Sequence, residues 1–112
     1  MNVRSVKAKG RRLQNLVRDA LREAFSSLEE EDIKSQTMGM TGEDIVLSPH
    51  ARKLIPYSIE CKNQERLQIW KCIQQAEDNT VEDSSPILII KRNGTKPYVL
   101  MDLNKWIDII SG

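Results

Sequence analysis

The stretch Tyr57-Ser58-Ile59-Glu60-Cys61-Lys62, with Gly42-Glu43-Asp44-Ile45-Val46-Leu47 upstream of it, decides the fold. Successive side chains of a strand point to opposite faces, so Ile59 and Cys61 share one face and Glu60 and Lys62 the other. Asp44 opens a second β-prone run that ends at Leu47, with Gly39 and Gly42 as turn signals ahead of it. Pro49 and Pro56 bracket a loop, SPHARKLIP, between the runs, and the two runs read as an antiparallel pair. Two carboxylates and an ammonium group then lie close together on neighbouring strands. Such a charged group on an interior strand is costly unless it binds a cation or a substrate.

Outward from this pair the periodicity changes. Leu13, Leu16, Val17, Ala20, Leu21, Ala24, Phe25 and Leu28 make one helical stripe, predicting a helix over 11–28. The acidic run Glu29-Glu30-Glu31-Asp32 reads as a solvated connection. Downstream, residues 65–79 suit a second helix, with Ile69, Ile73 and Ala76 on one stripe. Ile87-Leu88-Ile89-Ile90 has the unbroken β-branched character of a strand buried on both faces. Lys91-Arg92-Asn93-Gly94 turns the chain into a further strand, Pro97 to Leu100. Leu103, Trp106, Ile107 and Ile110 fit a short terminal helix. The order α, β, β, α, β, β, α predicts a mixed α/β fold, a central mixed sheet with helices on both sides. At 112 residues it is a single domain, 1–112.

Charged residues are 29%, apolar residues 39% and aromatics 4% of the chain, a composition that excludes a disordered protein. No apolar run approaches the ~18–20 residues of a membrane span. The basic start has no apolar stretch behind it, so no secretory leader is expected. Cys61 and Cys72 fit neither a disulfide framework nor a zinc spacing, and reduced thiols in the cytoplasm are the simplest reading. The net charge of +1 hides an asymmetry. Arg4, Lys7, Lys9, Arg11, Arg12 and Arg18 precede any acid, whereas Asp19 to Asp44 is strongly acidic. Residues 1–10 read as a basic amino-terminal arm, either a solvated tail or a contact for a polyanion such as nucleic acid.

Two carboxylates bind a hard divalent cation through oxygen, and Mg²⁺ keeps several waters in such a site. That chemistry suits metal-assisted phosphodiester hydrolysis, with a lysine orienting water or stabilising the transition state. Asp44, then Ser58-Ile59-Glu60-Cys61-Lys62, then a helix with Gln74-Gln75-Ala76, resembles the D…E-x-K…Q core of the PD-(D/E)XK nuclease superfamily. Within it, the chain looks most like the small Holliday-junction resolvase-type enzymes and their phage relatives, which also begin with a basic K-G segment, here Lys9-Gly10. The resemblance covers Lys9 to Leu100. It implies a restriction-endonuclease-like fold, with Asp44, Glu60 and the backbone carbonyl of Cys61 as ligands of Mg²⁺, for which Mn²⁺ can substitute. It implies Lys62 as the catalytic lysine and Gln75 as an auxiliary polar residue, a role for which Gln74 competes. Resolvase-type enzymes commonly place a Glu on the first helix where this chain has Gln14. Either Glu43 or Glu23 compensates, or the site works with two carboxylates.

Lys7, Lys9, Arg11 and Arg12 on one side, and Lys91, Arg92 and Lys96 on the other, are candidate phosphate contacts. No sequence-reading module is present, which favours recognition of DNA shape, with branched or double-stranded DNA as partner. The resemblance therefore implies a junction-selective endonuclease in the bacterial cytoplasm, phage-encoded. Repair or restriction-like nucleases, and a non-catalytic nucleic-acid-binding relative, remain alternatives. Cutting two symmetric strands needs two sites, so a homodimer is expected, through the 87–90 strand or the 106–110 helix. His50 reads as a surface loop residue, and Trp70 and Trp106 as core or dimer-interface packing.

Overall fold

The computed structural model describes residues 3–112. Helix α1 (Val3–Ala24) leads through a 3-10 turn (Glu30–Asp32) into β1 (Ile33–Ser35) and β2 (Ile45–Leu47). Then come α2 (Pro49–Leu54), β3 (Tyr57–Asn63), α3 (Ile69–Asp78), β4 (Ser85–Lys91), β5 (Tyr98–Leu100) and α4 (Leu103–Ser111). No described helix is long and apolar enough to cross a membrane.

The mixed α/β character holds, but the strand partners differ from those predicted. The run starting at Asp44 does not form an antiparallel ladder with Tyr57–Lys62. Its β2 pairs instead with β1, Ile33 opposite Leu47, while β3 runs parallel to β4 and β4 antiparallel to β5. Strand β1 is too short for its alternation to stand out beside the acidic run. That run is not simply a solvated link either: Asp32 accepts a 2.6 Å hydrogen bond from Ser48 Oγ. Arg22 on α1 binds the Glu30 and Ile33 carbonyls at 3.0 and 2.9 Å, which docks the segment. The SPHARKLIP loop is a helix, α2, with Ser48 capping the Ala51 N–H and Pro49 in its first turn, where its missing N–H and fixed φ cost nothing.

Helix α1 starts eight residues earlier than the apolar stripe indicates, at Val3 rather than Arg11. The described part of the basic segment 1–10 is therefore the opening turns of a helix, and its first two residues lie outside the described residues. Leu13 and Val17 of α1 pack with Ile33, Ile45, Leu47, Ala51, Ile55 and the inward face of the larger sheet, Ile59, Cys61 and Ile89. Each fully buried aliphatic side chain contributes about 1.5–3 kcal/mol. On the opposite face of β3 and β4, α3 covers Ser58, Glu60 and Leu88 with buried Cys72 and Ala76. Ile87 to Ile90 lies on the central strand of its sheet, so it is not available as a dimer interface. Neither tryptophan enters the core: Trp70 is 82% and Trp106 50% exposed.

Candidate active site

Asp44, just before β2, reaches the free edge of β3. Its N–H donates to the Ile59 carbonyl at 2.8 Å, and its Oδ2 accepts from the Cys61 N–H at 2.7 Å. N–H and C=O of one strand residue point to the same edge, so the Cys61 carbonyl lies on the Asp44 side too. Glu60 and Lys62 alternate away from the core and line the same cleft of about 600 Å³. The expected trio is thus brought together, by one backbone bond rather than a ladder. Lys7, Gly10 and Gln14 of α1 form one wall of the cleft. Met38, Met40 and Gly42 of the β1–β2 loop form another, and Lys71, Gln74 and Gln75 of α3, with Asn79 at its C-terminal cap, a third.

The electrostatics are those of a buried acid pair. Burial raises Glu60 to about 7, with the Asp44 charge adding to the effect, while a 3.4 Å bond from Asn79 Nδ2 and the charge of Lys62 oppose it. Burial raises Asp44 as well, against the Cys61 N–H, Lys62 and the Gln14 amide, which hydrogen-bonds its carboxyl. Burial likewise pushes the Cys61 thiol up, which fits a core thiol rather than a nucleophile. Two acids desolvated side by side are stabilised by a cation.

The donor set fits a hard divalent ion. Asp44 and Glu60 offer carboxylate oxygens, Cys61 a backbone carbonyl, and Gln14 has a buried Oε1 with no hydrogen-bond partner. No third acidic, histidine or cysteine side chain joins them among the described residues. Glu43 does not compensate for Gln14, because it is paired with Arg52, which also donates to the Tyr57 carbonyl at 2.6 Å. Glu23 is exposed near the far end of α1. Both glutamines of α3 line the cleft, with Gln74 donating to Asp78 at 2.9 Å. Asn79 escaped the sequence reading. Its signal was the i, i+4 row Lys71, Gln75, Asn79, polar along the length of α3.

The basic residues divide. Lys7, Arg11 and Arg12 are exposed on α1, with Lys7 lining the cleft. Lys9 is 4% exposed and its Nζ binds Glu65 at 2.9 Å, so its ammonium is already paired within the protein. Glu65 also accepts from the Asn93 N–H at 2.8 Å, and these two partners hold its carboxyl below the usual range. This bridge brings the exposed Arg92 turn to the same end of the molecule as the start of α1. Lys91 donates to the Arg92 carbonyl at 3.1 Å and Lys96 lies 5.7 Å from the Tyr98 ring centroid. His50 is exposed, in the first turn of α2 rather than a loop.

A family profile described as "Phage putative PDDEXK endonuclease" matches residues 5–111. The chain belongs to the phage PDDEXK endonuclease family. Comparison with curated proteins and with solved structures gave no significant match. The match spans α1 to α4, so this PDDEXK nuclease carries the whole cleft within its family region.

Proposed function

We propose that this PDDEXK nuclease is a Mg²⁺-dependent, structure-selective DNA endonuclease, with a four-way junction as its favoured substrate. The observation that carries the reading is the convergence of Asp44, Glu60 and Lys62 in one cleft flanked by exposed basic residues. A bound Mg²⁺, or Mn²⁺ in its place, would lower the pKa of a water and neutralise charge growing on the phosphate. Asp44 and Glu60 hold it through oxygen, helped by the Cys61 carbonyl. Asn79 orients Glu60, and the Cys61 N–H fixes Asp44. Lys62 positions the attacking water or the scissile phosphate, and Gln75 faces the same space from α3. Lys7, Arg11, Arg12 and Arg92 supply salt-sensitive phosphate contacts that carry no base sequence information.

A junction has two symmetric strands to cut, and each chain has one cleft. The active form is therefore proposed as a C2 homodimer. The exposed apolar face of α4, with Trp106 and Ile110, is the surface offered to the second copy. The protein acts in the cytoplasm of the phage's bacterial host.

Labelled four-way junction and matched linear duplex, incubated with Mg²⁺ or EDTA, test the reading. Junction cutting that needs Mg²⁺ and is lost in Asp44→Asn and Lys62→Ala supports it. Equal cutting of both DNAs removes junction selectivity and leaves the nuclease. Tight binding with no cutting favours a binding protein that has kept the fold.

A further inference from the structure

We propose that Gly10 is a notch in the α1 wall through which the sugar-phosphate backbone of DNA reaches Asp44 and Glu60, making it a specificity-determining residue. The inference rests on the nuclease reading above.

Glycine is the poorest helix former after proline, yet Gly10 lies well inside a helix of 22 residues. Two ordinary reasons for such a glycine are absent. Positive φ occurs at Gly39, Gly42 and Gly94 and not at Gly10, so the backbone does not demand it. A Cβ built at Gly10 meets nothing within 4 Å, so packing does not demand it either. What remains is the space itself. Lys7, Gly10 and Gln14 follow one another at helical spacing along the stripe that lines the cleft. Gln14 ends that stripe against Asp44. Val6 and Lys7 begin it, and Lys7 also lines a shallow hollow of about 380 Å³ with Arg4, Ala8 and Arg11.

A side chain at position 10 would stand between this basic surface and the carboxylates. Without one, a polyanionic strand held by Lys7 can lie against the bare helix backbone and enter the cleft. A small phosphodiester needs no such path. The notch therefore distinguishes polymer from monomer substrates without touching the chemistry.

Full-length Gly10→Ala and Gly10→Leu, with Asp44→Asn as control, test this on three readouts. Thermal unfolding should rise by about 4 °C in Gly10→Ala, since a helix interior gains a better helix former and nothing clashes. Junction cleavage should fall ~10-fold in Gly10→Ala and ~100-fold in Gly10→Leu, chiefly through KM. Hydrolysis of thymidine 5′-p-nitrophenyl phosphate should fall far less than DNA cleavage in both. Gly10→Leu cutting DNA within about 3-fold of wild type overturns the notch. Equal loss of DNA and small-ester hydrolysis also overturns it, since the side chain then acts on the carboxylates. Asp44→Asn as active as wild type, or a wild type that cuts neither substrate, defeats the nuclease reading instead. Anisotropy of labelled junction then decides the notch alone: weaker binding by Gly10→Leu supports it, and equal binding overturns it.

Discussion

The two edges of the larger sheet break opposite rules. At the β3 edge the chain buries charge: Glu60 is 3% exposed, although acids almost never go inside unpaired. At the β5 edge it exposes apolar surface: Tyr98, Val99, Leu103, Trp106, Ile109 and Ile110 are all about half exposed or more. A helix such as α4, apolar and without one buried residue, contributes little to the fold of a lone chain. Neither departure stabilises the isolated molecule. Buried acids and an exposed apolar surface are the marks of binding sites, and the function proposed above assigns a cation to the first and a second copy of the chain to the other.

That contrast can be broken most decisively at the charged edge. Asp44→Asn and Lys62→Ala should each lower Mg²⁺-dependent cleavage by about 10³-fold with unchanged circular dichroism, in a single-turnover assay. Residual activity near wild type would leave the buried charge without a purpose.

Glu60 sharpens the comparison through pH. Its folded pKa of about 7 lies above the ordinary value of 4.5, so between these values the native state holds a proton that the unfolded chain releases. Stability of the metal-free protein is then full below pH ~4.5 and declines as pH rises through 7. Melting in EDTA at pH 5 and pH 8 should give the higher Tm at pH 5. Glu60→Gln should remove most of this slope, raise Tm at pH 8 and abolish cleavage. Added Mg²⁺ should raise Tm more at pH 8 than at pH 5, because it competes with the proton.

Smaller effects follow. Glu65→Ala leaves the Lys9 ammonium buried without its partner, but Glu65 is 45% exposed and water screens the pair. The expected outcome is a modestly lower urea midpoint at constant m. Least disturbing to the monomer is Trp106→Glu, at most about 0.5 kcal/mol at low concentration. Its effect should appear in light scattering, as loss of the dimer and of paired junction cuts. A monomeric wild type that cuts both strands would put the apolar edge to some other use.

Much of the cleft was legible because alternation on β3 is a local rule. Ile59 and Cys61 inward, Glu60 and Lys62 outward, needs no knowledge of partners. The approach of Asp44 to that strand was expected, but it comes through single hydrogen bonds to Ile59 and Cys61 rather than the antiparallel ladder. Three-residue strands such as β1 carry too few side chains for a period to emerge. Helix α2 was announced by Ser48-Pro49, yet the second proline at 56 made the segment look like a loop. Lys9 illustrates a different limit. Its charge is visible in the sequence, but its burial depends on Glu65, 56 residues away, and only the fold pairs them. Asn79, the C-cap of α3, continues the polar row Lys71 and Gln75, and a polar row ordinarily faces solvent. Here it faces Glu60.

The backbone bond from Asp44 N–H to the Ile59 carbonyl joins two separately hydrogen-bonded sheets. Asp44 travels with β1 and β2, while Glu60 and Lys62 travel with β3 and β4. During synthesis, a chain whose smaller sheet has not yet settled onto α1 and β3 carries the acids apart, with no assembled site between them. The two acids therefore meet only where the smaller sheet is docked against β3.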